Sequence, residues 1–390
     1  MLGAFLPAAA KGPNPEVGSV DVIILTEGSP AALATEIEEL GGTVSFQYQN
    51  VDALAASIPA DKLGDIAEIS GVLNIEKDQM VYLTDRPDFG DDPHPRVYEV
   101  EDTAGVEIQA LELNSIDLNN YPDGYANFIY TGAIETWGTT GAGFGTVVAV
   151  VDTGTVPNTC LSHAVIGAPG FPEGYNAAGD GIPATSSLNH WHGTHVAGVI
   201  ASNCALDFSA APSHPIYLAQ APYLGWPVDF IPIAGQAPEA EIYPVKVFPA
   251  DGSGAPTSQI LDGLDHLLTL KTSGLLDIDI INMSLGGPSL WDGRDAYDRF
   301  IEELVAADIL VVTSAGNEGP TPNSVGSPGT SFGAVNVGAL DYAPSSRTFY
   351  EYLGWAIWPG AAGQGMIMRP IAETRVVNFS SRGPLSDGRF

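Results

Sequence analysis

The chain has 390 residues, of which 14 are basic and 47 acidic, for a formal net charge of −33. Phosphate binding needs clustered Lys and Arg, so this balance argues against a nucleic-acid partner. No unbroken apolar run is long enough for a membrane-spanning helix, and the length leaves room for two or three domains with a sizeable core. The imbalance comes from scarce Lys and Arg rather than from excess acid, a composition that fits an exported or salt-adapted protein.

The start, Met1-Leu2-Gly3-Ala4-Phe5-Leu6-Pro7-Ala8-Ala9-Ala10-Lys11, has the apolar and small-residue portions of a secretory signal without its charged leader. Residues 1–19 read either as a clipped leader or as a frayed terminus. From 20 to 83 the pattern alternates compactly. Val22-Ile23-Ile24-Leu25 predicts a strand. Ser29-Pro30 suits a helix start, Leu33, Ile37 and Leu40 follow at helical spacing, and Gly41-Gly42 ends the run. Val44, Phe46 and Tyr48 alternate as a second strand, and residues 51–58 make a third. A helix with Leu63, Ile66 and Ile69 follows, and Val72 to Ile75 closes the set. The order βαββαβ is a ferredoxin-like α+β arrangement, which alone says nothing of function.

Residues 84–125 are rich in Asp, Glu and Pro, as in Asp85-Arg86-Pro87-Asp88 and Gly90-Asp91-Asp92-Pro93. Such a stretch buries little apolar surface and reads as an exposed connection, whether cut in maturation or left whole. A larger domain occupies 126–390. Four apolar runs, 146–151, 242–247, 278–283 and 309–312, predict buried strands. Amphipathic helices carry Ile260, Leu261, Leu264, Leu267 and Leu268, then Tyr297, Phe300, Ile301, Leu304 and Val305. Continuous apolar strands alternating with helices imply an α/β fold, a parallel sheet covered on both faces. Ligands of such sheets bind beyond the carboxyl ends of the strands. Asp152, Ser284-Leu285-Gly286 and Ser314-Ala315-Gly316-Asn317 stand at those ends.

Between the first two strands lies Asn189-His190-Trp191-His192-Gly193-Thr194-His195-Val196-Ala197-Gly198-Val199-Ile200-Ala201-Ser202. His192 opens a helix whose Val196, Val199 and Ile200 recur at helical spacing. Gly193, Ala197, Gly198 and Ala201 would let that helix press close to a sheet. A histidine there is fixed in direction yet faces a crevice, as a general base requires.

Asp152-Thr153-Gly154, His192-Gly193-Thr194-His195-Val196-Ala197-Gly198 and Ser314-Ala315-Gly316-Asn317, in this order, resemble the motifs of the subtilisin-like serine proteases, the subtilases. The resemblance implies that His192 is the base, Asp152 its orienting carboxylate and Asn317 an oxyanion donor. It further implies that Ser284, Leu285, Gly286, Ala315 and Gly316 bind the substrate backbone and wall its main side-chain pocket. The 20–83 domain resembles the family's inhibitor-type propeptide, which would act as an intramolecular inhibitor. The resemblance also implies a peptide or protein substrate as the partner of the whole and an extracellular setting. The family's nucleophilic serine follows an Asn-Phe-Ser-Ser-Arg-Gly-Pro stretch, here 378–384, and is expected beyond residue 390, leaving these 390 residues inactive by themselves. A non-catalytic protease-binding or inhibitory module is the alternative.

Gly329-Thr330-Ser331 imitates the nucleophile motif but precedes a strand-like segment and comes before 378–384, so Ser331 is not assigned that role. His195 is expected to be buried and hydrogen-bonded. His190, His192 and His195 lack the spacing of a zinc helix, and no metal ligands are assigned. No cofactor is required; structural calcium is frequent in the family, but no EF-hand-type ligand run appears. Cys160 and Cys204 form one disulfide or remain two buried thiols. Two insertions, 203–234 with Tyr217, Tyr223, Trp226 and Phe230, and 341–372 with Tyr350, Tyr352, Trp355 and Trp358, either shape substrate access or serve as packing.

Overall fold

The computed structural model describes residues 18–83, 105–111, 113, 116, 127–214, 217–219, 229–289, 293–344, 346–347, 350–351 and 363–389. The leader-like start, most of the acidic connection, and Tyr223, Trp226, Tyr352, Trp355 and Trp358 lie outside the described residues. The chain divides into two units, Met1–Asp78 and Gln79–Phe390.

The first unit runs β1 (Ser19–Thr26), α1 (Ala31–Glu39), β2 (Thr43–Gln47), β3 (Ala53–Pro59), α2 (Leu63–Ala67) and β4 (Val72–Lys77). Its strands form an antiparallel sheet in the order β2-β3-β1-β4. Alternate residues Val22 and Ile24 of β1, and Leu54, Ala56 and Ile58 of β3, meet Leu33 and Ile37 of α1 and Ile66 of α2 in one core. Gly42 follows α1 because a Cβ there would come within 2.7 Å of Ile37 Cγ2 and 3.1 Å of Ser57 O.

The second unit continues with β5 (Met80–Leu83), β6 (Glu107–Ala110), α3 (Asn127–Tyr130), α4 (Ala133–Thr140), β7 (Val147–Asp152), β8 (Tyr175–Asn176), α5 (His192–Ala201), β9 (Asn203–Asp207), β10 (Phe230–Ala234) and β11 (Glu241–Lys246). Then come β12 (Ala255–Pro256), α6 (Thr257–Ser273), β13 (Ile280–Met283), β14 (Leu285–Gly286), α7 (Ala296–Ala306), β15 (Leu310–Ser314), β16 (Ala334–Val337), β17 (Leu340–Asp341), α8 (Gln364–Met368) and β18 (Arg375–Val376). Its main sheet has the order β16-β15-β13-β7-β11-β8, and every pairing in it is parallel. All six residues of β7 are buried, as a strand covered on both faces requires. Val148, Val150 and Ile242 pack on one face against Ala197 and Ala201 of α5. On the other face Gly263 of α6 lies close enough that a Cβ would stand 3.0 Å from Val245 Cγ1.

The helix α5 buries the small-residue side expected to press against the sheet. Gly193, Ala197 and Ala201 form the inward stripe, whereas Val199 is 46% exposed. Small residues win because only they let the helix backbone reach the sheet edge; Val196 and Ile200 flank the contact half-buried. For the same reason His195, expected to be buried, points outward, with its ring edge-on to Trp191 at 5.9 Å between centroids.

The first insertion begins as β9 and ends as β10. They pair with each other, and β9 also pairs with β6, in a separate antiparallel sheet of order β10-β9-β6. Cys160 and Cys204 are joined by a disulfide, next to a hydrogen bond donated by Asn203 N to Cys160 O at 2.9 Å. In the second insertion, buried Arg369 donates to Asp341 at 2.9 Å, and buried Glu351 accepts from Gly363 N at 2.7 Å and Gly365 N at 3.0 Å. Apart from these, His266 of α6 stacks on Tyr175 with centroids 3.9 Å apart, meets Phe171 edge-on, and shares a hydrogen bond with Tyr243 Oη, Nε2 to Oη 2.9 Å. Burial holds its imidazole down at about 4.

Two stability predictions follow from this packing. Replacing both cysteines with alanine should lower the unfolding free energy by about 4 kcal/mol, the chain-entropy value for a loop with a sequence separation of 44, read from urea denaturation. A neutral His266 binds fewer protons when folded than when unfolded between pH ~6.5 and about 4. Its contribution, present in full above ~6.5, should therefore be lost by about 2–3 kcal/mol as pH falls through that window, and the loss should vanish in His266→Gln.

Candidate active site

Strand β7 ends on Asp152, whose side chain is wholly buried. An ionised carboxylate there needs partners, and it has them. Thr153 N donates to Oδ1 at 2.7 Å, and His192 Nδ1 lies 2.8 Å from Oδ1 and 2.9 Å from Oδ2. His192 is the first residue of α5 and is itself buried. With Nδ1 engaged by the carboxylate, the ring is held in one tautomer and Nε2 is the nitrogen suited to proton exchange.

Thr153 clips the two segments together. Its hydroxyl donates to His190 O at 2.8 Å and accepts from Gly193 N at 3.0 Å. Two glycines make the approach possible. A Cβ on Gly193 would overlap Gly154 O, and a Cβ on Gly154, whose φ is +96°, would overlap Ala184 O. Sequence reading quoted Thr153 within its motif without finding this role, because the bond is to a main-chain carbonyl remote in sequence.

Next to β7 in the sheet lies β13, and next to β13 lies β15, so the segments after Asp152, Met283 and Ser314 share one edge. At the usual strand spacing, Asp152 and the end of β15 stand about 10 Å apart. After β13, Ser284 Oγ accepts from Asn282 Nδ2 at 3.0 Å, Leu285 is buried and Gly286 half-buried. After β15, Ser314 Oγ donates to Leu285 O at 3.2 Å, which binds the two walls to each other. Ala315 is buried and donates its N–H to Val337 O at 2.9 Å. Gly316 takes φ +97° and accepts from Ser381 N at 3.0 Å, and half-buried Asn317 follows it. The 378–384 segment thus packs on this turn, with Ser381 Oγ donating to Glu318 at 2.9 Å. Ser331 lies elsewhere: buried, it donates to Asp298 Oδ1 at 2.5 Å, at the capping box of α7.

Leu285 and Gly286 hold an extended peptide, and that peptide is the chain's own. Strand β5 pairs antiparallel with β14, Tyr82 opposite Gly286 and Leu83 opposite Leu285. On its other side it pairs antiparallel with β12, Met80 opposite Pro256 and Val81 opposite Ala255. Thr257 N and Oγ1 both donate to Gln79 O, at 2.8 and 3.1 Å. The side chains alternate: Val81 and Leu83 are 3% and 8% exposed, Met80 and Tyr82 45% and 63%. A Cβ on Gly254 would come within 2.7 Å of the Tyr82 ring, so that position is kept bare. Neither β5 as a cleft strand nor β12 as a wall was visible in the sequence. The only hint was the alternating Val81 and Leu83 just ahead of the acidic stretch.

A buried acid–imidazole pair beside a cleft that takes an extended backbone can perform proton transfer on a bound peptide. Among the described residues, no group of three or more His, Cys, Asp or Glu side chains is placed to hold a metal ion. No helix among them is long and apolar enough to cross a membrane.

The model of the subtilase family matches residues 143–390, and that of a peptidase inhibitor domain matches residues 10–78. The chain is 35% identical to the serine protease AprX of Bacillus subtilis over 256 residues, covering 65% of this chain and 46% of AprX. It is 33% identical to pyrolysin of Pyrococcus furiosus over 217 residues, 52% of this chain and 14% of pyrolysin. With subtilisin E of Bacillus subtilis the identity is 28% over 316 residues, 80% of this chain and 62% of that protein. The chain therefore spans less than two thirds of the length of each of these relatives.

Placing a carboxylate at Val81 would bury a charge beside Ala255. In Val81→Asp, β5 should leave the cleft, and hydrogen exchange at the amides of Val81, Ala255 and Leu83 should accelerate by about 30-fold or more, the effect of losing about 2 kcal/mol or more of local stability. Tyr82→Asp, on the exposed side, should change it little.

Proposed function

The chain belongs to the subtilase family, and on that premise we propose that it is the amino-terminal part of the precursor of a secreted subtilisin-like serine endopeptidase. The observation that carries this reading is the buried contact of His192 Nδ1 with both oxygens of Asp152, at 2.8 and 2.9 Å. A binding module has no use for an imidazole so oriented.

In the proposed reaction the nucleophile is a serine that follows residue 390, after the 378–384 stretch in the order of the family. His192 Nε2 takes the hydroxyl proton as the oxygen attacks the peptide carbonyl carbon. Asp152 keeps Nδ1–H in place and stabilises the imidazolium without taking the proton. The carbonyl oxygen becomes an oxyanion, to which the Asn317 amide donates. As the intermediate collapses, the C–N bond breaks and His192 returns the proton to the leaving amine. Water then cleaves the acyl-enzyme by the same route. Ser284, Leu285 and Gly286 pair with the substrate backbone, and Ala315 and Gly316 wall its main side-chain pocket.

The inhibitor-like first unit and β5 support inhibition in cis, since β5 pairs with the strand assigned to substrate. Secretion is supported by the Cys160–Cys204 bridge, since such bonds form and persist mainly in oxidising compartments. Substrates are peptides and proteins able to lie extended along β14.

Reading the gene past the codon for Phe390 tests the proposal most cheaply. A Gly-Thr-Ser ahead of a helical pattern is expected; a stop codon there would transfer the assignment to a non-catalytic protease-binding protein. The 390-residue chain alone should turn over no fluorogenic peptide, and turnover abolished by His192→Ala would overturn the external serine. In the serine-containing product, Asn317→Ala should lower kcat by about 10²–10³.

A further inference from the structure

Lys246, the last residue of β11, is wholly buried, where an ammonium loses its hydration. Its Nζ donates to Asp180 Oδ1 at 2.9 Å, Asp180 Oδ2 at 2.7 Å and Ile182 O at 3.1 Å, a use for each of its three protons. Asp180 also accepts from Asn176 Nδ2 at 3.0 Å, Ile182 N at 3.1 Å and Ala250 N at 3.0 Å. Partial desolvation would raise the Asp180 carboxyl, but the ammonium and these N–H donors outweigh it and hold it at about 2. A buried ion pair adds little stability over an apolar pair of equal volume. Stability alone therefore gives no reason to spend one of 14 basic side chains here.

Position gives one. From Ala177 to Trp191 the chain has neither helix nor strand, yet it must deliver His192 to Asp152 within a few tenths of an ångström. The contacts run unbroken from the pair to the site. Lys246 and Asp180 fix Ile182; Asn189 Nδ2 donates to Pro183 O at 2.9 Å and Ala184 O at 3.1 Å; Thr155 N donates to Ala184 O at 2.8 Å; and Thr153 Oγ1 holds His190 O. A second arm leads through Ala250 to Gly252, which lies so near His190 that a Cβ would stand 2.7 Å from its ring, and on towards β12. Lys246 is also the register partner of Asp152, and Val247 N donates to Asp152 O at 2.8 Å.

We infer that the Lys246–Asp180 pair is a positioning device that sets the 177–191 loop, and with it the His192 ring, against Asp152 while steadying the turn that leads into the cleft wall β12. The inference rests on the proposed role of the Asp152–His192 pair.

The test uses the 390-residue chain with ¹⁵N-labelled histidine. In the wild type, the His192 Nδ1 proton should give a slowly exchanging low-field signal; its absence would count against the Asp152–His192 reading itself. In folded Asp180→Asn and Lys246→Met, that proton should exchange about tenfold faster, equivalent to about 1.4 kcal/mol in loop opening, and Lys246→Arg should restore part of the protection. If Lys246→Met does not fold, Asp180→Asn, whose site is partly exposed, decides the matter. Folded variants that melt earlier but keep the wild-type His192 signal and exchange would leave the pair a structural ion pair and overturn the inference.

Discussion

One contact sets the demands on the rest of the second unit: an imidazole ring held against a wholly buried carboxylate. Asp152 is wholly buried, so its charge is tolerable only because His192 and the Thr153 N–H stand within hydrogen-bond reach. That requirement accounts for the burial of β7 on both faces, which fixes the carboxylate. It also accounts for the bare stripe Gly193–Ala197–Ala201, which lets α5 come near enough to offer the ring. Larger residues on that stripe would gain apolar contact and lose the distance. Packing here has been arranged around polar geometry, not the reverse.

The sheet then turns a local pair into a site. Because β7, β13 and β15 run parallel, their carboxyl ends deliver Asp152, the 284–287 wall and the 314–317 turn to one edge without any special device. Ser314 Oγ on Leu285 O and Ser381 N on Gly316 O tie these segments sideways. Loops would be too loose for this task if left to themselves. The disulfide performs a similar service at the far end of α5, where Cys204 is the second residue of β9 and Cys160 lies in the segment following Asp152.

What could be read from the sequence divides along the range of the interactions. Asp152 at a strand end and His192 at a helix start were legible, since each is announced by apolar periodicity within a few residues. The four strands and the α6 and α7 stripes were legible for the same reason, except that Leu310 in β15 and Val305 at the edge of the α7 stripe, expected inside, are 47% and 44% exposed. The small-residue side of α5 was legible too, since close approach to a sheet selects for Gly and Ala, but His195, one position off that stripe, was placed inside when it faces out. Strands β12 and β14 have two residues each, too short for any period, and their pairing with β5 joins parts of the chain remote in sequence. The bridge was left open because two cysteines carry no information about distance. Lys246 lies inside the apolar run 242–247 with no local sign of a role; its ion-pair partner Asp180 sits in a loop without periodicity.

The occupied cleft explains how few contacts can suffice for inhibition under the proposed reading. Backbone pairing of β5 with β12 and β14 is indifferent to side chains, and only Val81 and Leu83 are buried. Any extended peptide with tolerable residues at those two places meets the same hydrogen bonds, so affinity alone would not keep substrates out. Covalent connection does. A tethered strand faces its groove at an effective concentration of roughly millimolar, against which a dilute peptide of equal intrinsic affinity competes poorly. On that reading, a cut in the chain directly after β5 removes the advantage of the tether.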